Sequence, residues 1–336
     1  MERKIKFAVV GCGSIGKRHI AVIDAEAKAE LVALCDNNLP IAEKLSALYN
    51  NVPVYQDYSR LLAETDADII SICTPHGLHA PMTIEAARAG KNILVEKPMA
   101  LLPEDCIQMI EEARRNQVEL FVVKQNRYNK PIALTKKALD EKRLGRIFMV
   151  QCNVLWNRHQ DYYQQSSWRG SKELEGGALH TQVSHFIDLL IWWFGDLTEA
   201  KTIMDTLNHD IEIEDCGVSA LRFNSGVIGS LIWTTCVYNN NYEGSITIIG
   251  EKGTIKIGGK YLNEIEFWDV QSYPLPENIS FNDLPNNYGK YQGSSSNHDK
   301  AVQNIIGHLL NERHMVVEGD EGMKTIDAIE VIYKAK

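Results

Sequence analysis

The feature that most constrains this chain is Gly11-Cys12-Gly13-Ser14-Ile15-Gly16, set between the apolar run Ile5–Val10 and a helical pattern over His19–Ala27. The glycines therefore fall in a strand-to-helix turn. Gly11 permits the tight reversal there. Gly13 brings bare backbone up to a ligand, and Gly16 lets helix and strand pack closely. Free amides and the positive end of the helix dipole converge on the same point, which suits a pyrophosphate; Ser14 and Ile15 supply amides of that first turn. Asp36 lies 20 residues beyond Gly16, at the end of the apolar run Ala29–Cys35. A carboxylate so placed accepts hydrogen bonds from a ribose 2′-hydroxyl and repels a 2′-phosphate. Asn37 and Asn38 follow it, with no arginine to hold that phosphate. The expected cofactor is NAD rather than its phosphorylated form.

The rest of the first part repeats the same alternation. Apolar runs at Ile69–Cys73, Asn92–Glu96 and Leu120–Val123 are separated by helical segments at Ile41–Leu48, Ser59–Glu64, Ala80–Ala89 and Pro103–Asn116. Strands that are apolar throughout are buried on both faces, the mark of a parallel sheet in an α/β domain. Past a further helix, Ile132–Glu141, the texture changes. Ile147–Asn157 alternates, with Phe148, Val150, Cys152, Val154 and Trp156 expected on one face. Strand patterns recur at Gly217–Phe223, Val227–Cys236, Ser245–Ile249, Thr254–Ile257 and Ile265–Val270. This predicts a mostly antiparallel sheet with helices on one face. Pro274–Asn297 reads as a long polar loop, and Asp299–Asn311 and Gly322–Lys334 as closing helices. At 336 residues a two-domain chain is expected: a Rossmann-type domain over 1–123 and an α+β domain over 124–336.

A net charge of −9 argues against nucleic-acid or anionic-membrane partners, which need a basic field. The N-terminal apolar run is too short for a signal peptide. Phe186–Phe194 is the longest apolar stretch elsewhere and falls far short of a bilayer span. Seven scattered cysteines have no metal-ligand spacing and read as reduced thiols of a cytoplasmic protein; no metal is expected.

Three groups of residues carry candidate chemistry. Thr74-Pro75-His76-Gly77-Leu78-His79 and Glu96-Lys97-Pro98 follow two of the apolar strands, at the rim where open α/β sheets bind ligands. Oxidation of an alcohol needs a group that takes the hydroxyl proton as hydride leaves carbon. A lysine partly desolvated beside a cationic nicotinamide can do this. A surface Lys-Pro turn is the bland alternative for Lys97, and cis and trans both remain open for its peptide bond with Pro98. The third group begins at Gly176-Gly177. Thr181, His185 and Asp188 stand at i, i+4 and i+7, one polar stripe on an otherwise apolar helix. His185 can act as acid/base or hold a hydroxyl, or simply be a packed histidine.

In their order and spacing, Gly11–Gly16, Asp36, Thr74-Pro75 with His79, Glu96-Lys97-Pro98 and the Gly-Gly helix with His185 and Asp188 resemble the Gfo/Idh/MocA oxidoreductases. The resemblance spans nearly the whole chain. It implies a C-terminal domain with a large open sheet, often used for dimer or tetramer packing, and it implies that Lys97 and His185 work beside the nicotinamide. A narrower resemblance rests on Val123–Asn129, Asn153–Tyr163, Trp168-Arg169-Gly170 and Thr181-Gln182. These look like the UDP-N-acetylglucosamine and UDP-N-acetylglucosaminuronate 3-dehydrogenases of bacterial surface-polysaccharide (lipopolysaccharide) biosynthesis. That resemblance implies cofactor contacts from Thr74, Pro75, His79, Glu96, Lys97, Gln125, Trp168 and Arg169. It implies substrate contacts from Lys97, Arg127, Tyr128, Arg158, Tyr163, Thr181, Gln182 and His185. Arginines suit a carboxylate or diphosphate, and aromatic faces suit a sugar or base. Many family members carry Asp where this chain has Thr181, which cannot be an anionic base. A dehydrogenase of free sugars or inositols, and a non-catalytic NAD-binding regulator, stand as the alternatives.

Overall fold

In a computed structural model the described residues are 3–276, 285–287, 292–312 and 314–336. They divide into two compact units: Met1–Lys124 with His298–Met323, and Gln125–Asn297 with Lys324–Lys336. The second boundary differs from the single break after 123 read from the sequence. His298–Met323 returns to the first unit because its apolar side chains Val302, Ile305 and Ile306 join that unit's core, and the Val317 carbonyl accepts from the Val122 amide.

Unit 1 runs β1 (Ile5–Val10), α1 (Ser14–Ala25), β2 (Ala29–Cys35), α2 (Leu39–Ser46), β3 (Val54–Tyr55), α3 (Tyr58–Glu64), β4 (Ile69–Ile72), α4 (His79–Arg88), β5 (Asn92–Val95), α5 (Pro103–Arg115) and β6 (Leu120–Val122). The strands form one all-parallel sheet in the order β3-β2-β1-β4-β5-β6. Burial on both faces accounts for the unbroken apolar runs: every residue of β4 is buried. The order reverses between β1 and β4, so their carboxyl ends open the crevice where such sheets take ligands. The two-residue β3 escaped the sequence reading because nothing in so short an edge strand has a period.

Unit 2 carries α6 (Lys130–Asp140), β7 (Ile147–Leu155), α7 (Gln160–Gln164), a π-helical turn Leu179–Val183 leading into α8 (Ser184–Phe194), then β8 (Leu197–Asp205), β9 (Cys216–Phe223), β10 (Ile228–Thr234), β11 (Glu243–Gly250), β12 (Gly253–Gly258) and β13 (Glu264–Val270). Seven strands form one sheet, β13-β12-β11-β7-β10-β9-β8, antiparallel except where β7 and β10 run parallel. Val150, Cys152, Val154 and Trp156 do share the buried face, with Trp156 edge-on to Phe186 of α8 at 5.8 Å. Phe148 does not join them. It stands 41% exposed at the strand's start, under the Arg146 guanidinium. β8 was missed in the sequence because its Thr-Glu-Ala-Lys stretch is polar, as an edge strand's can be. Pro274–Asn297 is not wholly loop. Within it β14 (Pro285–Asn287) pairs with β15 (Gln292–Ser295), and 277–284 and 288–291 lie outside the described residues. Helices α9 (His298–Leu309) and α10 (Gly319–Lys334) close the chain. No described helix is long and apolar enough to cross a membrane.

Candidate functional site

In unit 1 the glycine turn is dictated by contact. Gly11 sits at φ +89°, and a Cβ on it would lie 2.6 Å from the Cys73 carbonyl oxygen; a Cβ on Gly16 would lie 1.8 Å from the Gly11 oxygen. Gly13 is the N-cap of α1, and open space surrounds the place a Cβ would take. The first turn of α1 holds no acidic side chain and its cap makes no side-chain bond, so the helix's first amides are not capped by a side chain and suit an anion. Asp36 closes the far side. Its two carboxylate oxygens accept from the Cys12 amide at 2.7 Å and the Asn38 amide at 2.8 Å, which fixes them beside the turn, with exposed Asn37 between. These residues fit the adenosine half of a dinucleotide: a cradle that any Cβ would fill, an unblocked helix start, and an oriented acid.

Thr74, Pro75, Glu96 and Lys97 stand at the carboxyl ends of β4 and β5, on the same rim. Lys97 is half-buried, and its peptide bond to Pro98 is cis. Two of the expected cofactor contacts have inward-turned side chains. His79 is fully buried and does not face the rim. Its ring nitrogens meet the carbonyls of Pro98 at 2.7 Å and Thr74 at 2.9 Å, so it ties the two turns together from below. Glu96 is 4% exposed and turns inward: His19 Nε2 donates to its Oε1 at 2.8 Å, and the Lys97 amide to its Oε2 at 3.1 Å. Both oxygens of this carboxylate thus have partners within unit 1.

In unit 2, Tyr162 and Tyr163 of α7 meet edge to face at 5.0 Å. Arg169 lies 4.0 Å over the Tyr162 ring, and Arg158 5.3 Å from it. Gln182 reaches the Tyr162 hydroxyl at 3.5 Å, while the Tyr163 hydroxyl bonds Thr235 Oγ1 at 3.1 Å. Burial pushes the Tyr163 phenol up, so it stays protonated and able to donate. Behind Tyr163 stands His209, held by the fully buried Asp215, whose oxygens also take the amides of Leu207, Asn208 and His209. The sequence thus brings Arg158, Tyr163, Arg169 and Gln182 into one aromatic–cationic cluster beside half-buried Trp168. Gln125 and Tyr128 sit apart, on a short 3-10 turn before α6, with Gln125 buried and Tyr128 half-buried.

The polar stripe of the Gly-Gly helix is real but serves two ends. Thr181 donates to the fully buried Glu175 at 3.1 Å, so a carboxylate the sequence reading passed over stands at this position. His185 is buried on α8. Asp188 holds Arg127 through two bonds of 2.8 Å, the pair 3% and 2% exposed, with Thr325 adding a third partner at 3.3 Å. Arg127, expected at the substrate, therefore spends its charge inside the unit. Glu214, also unforeseen, lies under the glycines and accepts from the Leu179 amide and the Tyr333 hydroxyl; burial pushes its carboxyl up to about 7 against those bonds. A surface cleft lined by Tyr242, Lys256 and Glu266 among others involves none of these residues.

Comparison with known proteins agrees with this geometry. Residues 5–124 match the oxidoreductase family with an NAD-binding Rossmann fold, and 132–256 the GFO/IDH/MocA C-terminal domain. The WlbA dehydrogenase of Bordetella pertussis, solved with NADH and UDP-GlcNAcA, is 39% identical with a TM-score of 0.90, covering 99% of this chain and 96% of that one. The WlbA enzyme of Chromobacterium violaceum, solved with the same two ligands, is 39% identical with a TM-score of 0.91, covering 100% and 94%. An inositol 2-dehydrogenase/D-chiro-inositol 3-dehydrogenase of Halalkalibacterium halodurans is 27% identical over 74% of this chain and 70% of its own. The glycine cradle, the oriented Asp36, the two-unit architecture and these matches together make the chain a member of the Gfo/Idh/MocA family of NAD-binding oxidoreductases.

Proposed function

We propose that this protein oxidises the C3 hydroxyl of a UDP-N-acetylhexosamine, or of its uronic acid, to a ketone, in the biosynthesis of a bacterial surface polysaccharide. The observation that carries this reading is the full-length 39% identity to two enzymes whose solved complexes hold NADH and UDP-GlcNAcA. The arginine-rich aromatic cluster around α7 supports it, because a nucleoside diphosphate and a uronate both call for guanidinium donors and flat faces. When bound, NAD⁺ supplies the hydride acceptor. Lys97 would accept the proton of the substrate hydroxyl, leaving that oxygen's electron pair to form the C=O as hydride departs. His185 orients the hydroxyl from α8. Arg158, Arg169, Tyr163 and Gln182 hold the nucleotide or the sugar, and Thr181, hydrogen-bonded to Glu175, adds a polar contact in the same unit. Tyr128, Gln125 and Trp168 are assigned by resemblance alone.

The seven cysteines are all thiols, in keeping with a cytoplasmic location. The outer face of the unit 2 sheet exposes Met149, Ile203, Val218, Ile228, Ile249 and Phe267, which supports packing into a homodimer or homotetramer through that face. Light scattering of the purified protein checks this; a monomer at working concentration contradicts it.

An NADH-absorbance assay against UDP-GlcNAcA, UDP-GlcNAc, glucose and inositol, with and without 2-oxoglutarate, tests the function. Turnover restricted to the UDP sugars is expected. Preference for inositol or glucose favours the reading suggested by the inositol dehydrogenase relative. Tight NAD binding with no turnover on any of them would point to a regulator.

A further inference from the structure

Three fully buried polar side chains meet behind Lys97 within unit 1. His19, on the inner face of α1, is 1% exposed; it approaches Ser71 Oγ at 2.7 Å through Nδ1 and Glu96 Oε1 at 2.8 Å through Nε2. His298, the first residue of α9, is also 1% exposed, and its Nε2 stands 3.3 Å from the same oxygen. That approach lies off the hydrogen-bond direction, and neither ring nitrogen of His298 has a hydrogen-bond partner among the described residues. The two rings sit edge to face, 5.6 Å between centroids. Buried nitrogens left without partners are costly, which marks the His298 ring as one to account for. Burial opposes charging of either ring. For His19 the neighbouring Cys73 sulfur and the Glu96 carboxylate outweigh it and hold the ring up as imidazolium; for His298 burial wins and the ring stays neutral. Burial also opposes the Glu96 carboxylate, but the hydrogen bond from the charged His19 ring outweighs it and holds the carboxyl well below the usual range.

The arrangement joins parts that are distant in sequence. α1 carries the phosphate cradle, Ser71 and Cys73 precede the Thr74 turn, and the Glu96 Oε2 takes the Lys97 amide. His298 comes from α9, far along the chain, and its closest carboxylate is Glu96. We propose that His19 and His298 are positioning residues that grip Glu96 from two sides, so that its other oxygen fixes the backbone from which Lys97 reaches the reacting hydroxyl. His298 is then poised to complete its bond to Glu96 by a small ring rotation when the Lys97 turn tightens on substrate. This rests on the reading of Lys97 as the proton acceptor.

The test uses the full-length protein. His298→Phe keeps a flat aromatic ring and removes both nitrogens, and His298→Gln restores one donor. His298→Phe should lower kcat on UDP-GlcNAcA ~10–100-fold, the scale of a sub-ångström misplacement of a reacting group, with KM and NADH affinity unchanged. His298→Gln should recover most of that loss. In a Glu96→Gln background, His298→Phe should add nothing, because both act through one carboxylate. Parallel losses of kcat and NADH affinity would overturn the proposal, as would an undiminished His298→Phe effect in the Glu96→Gln background or failure of His298→Gln to rescue. Stoichiometric zinc or another divalent metal in the purified protein would also overturn it, since the same three groups would then be ligands. If His298→Phe does not fold, the NMR signal of 13C-methylated Lys97 compares wild type with Glu96→Gln and His298→Gln. It should move most in Glu96→Gln; an unmoved signal overturns the proposal, and this readout needs no turnover. Should Lys97→Ala retain wild-type turnover, the catalytic reading fails instead.

Discussion

Removing Asp188 separates scaffold from substrate binding in unit 2. The carboxylate takes two 2.8 Å bonds from Arg127 Nε and Nη2, with both side chains all but sealed from water. The Arg127 guanidinium also lies 4.7 Å over the Trp192 ring. Asp188→Ala leaves a buried guanidinium without its counter-ion, a loss of about 3–5 kcal/mol. For a unit of this size each kcal/mol moves Tm by about 2–4 °C, so the drop should be about 6–20 °C. Replacing both partners with apolar groups, Arg127→Met with Asp188→Leu, removes the uncompensated charge and should restore most of the stability. Thermal unfolding followed by circular dichroism measures this. KM for the sugar nucleotide in the double variant should match wild type if Arg127 is scaffold. A loss below about 1 kcal/mol for Asp188→Ala, the range of an exposed pair, would refute the claim of a desolvated bridge. A stable double variant with a tenfold higher KM would return Arg127 to the substrate.

Gly16→Ala places a Cβ against the Gly11 carbonyl, where only backbone can yield, so NADH binding by fluorescence titration should be lost. Asp36→Ala deletes the acceptor of two amide bonds and of the ribose; NADH should bind ~10–100-fold more weakly and the preference over NADPH should shrink. Unchanged affinity would remove Asp36 from the site. Glu214 has a folded-state carboxyl raised to about 7 against an ordinary 4.5, so the fold binds a proton that the unfolded chain releases. Stability should therefore fall as pH rises from about 4.5 to 7 and level off above, by roughly 3 kcal/mol in all. Glu214→Gln should flatten that slope in Tm-against-pH measurements; an equal slope in wild type and variant would contradict it.

Much of unit 1 was legible because its elements advertise themselves: doubly buried strands are apolar throughout, and the glycines have no substitute at their contacts. Asp36, Thr74 and Lys97 lie where strand ends put them. Glu96 and His79 read as rim-facing because they are polar residues at a strand or helix end, whereas here each side chain turns inward to a partner that sequence spacing does not reveal. A signal for those partners was present. His19 stands at i, i+1 and i+4 with Ile20 and Ile23, and His298 at i, i+3, i+4, i+7 and i+8 with Ala301, Val302, Ile305 and Ile306, each a histidine on an apolar helix face. Arg127 and Asp188 could not be paired from sequence, since 61 residues separate them and nothing periodic links them.

The most direct measurement is isotope transfer from UDP-GlcNAcA deuterated at C3. The account predicts that wild-type protein moves the deuterium into the nicotinamide ring of the reduced cofactor while Lys97→Ala, still able to bind NAD, moves almost none. Reduced cofactor without label, or label transfer undiminished in Lys97→Ala, would contradict it.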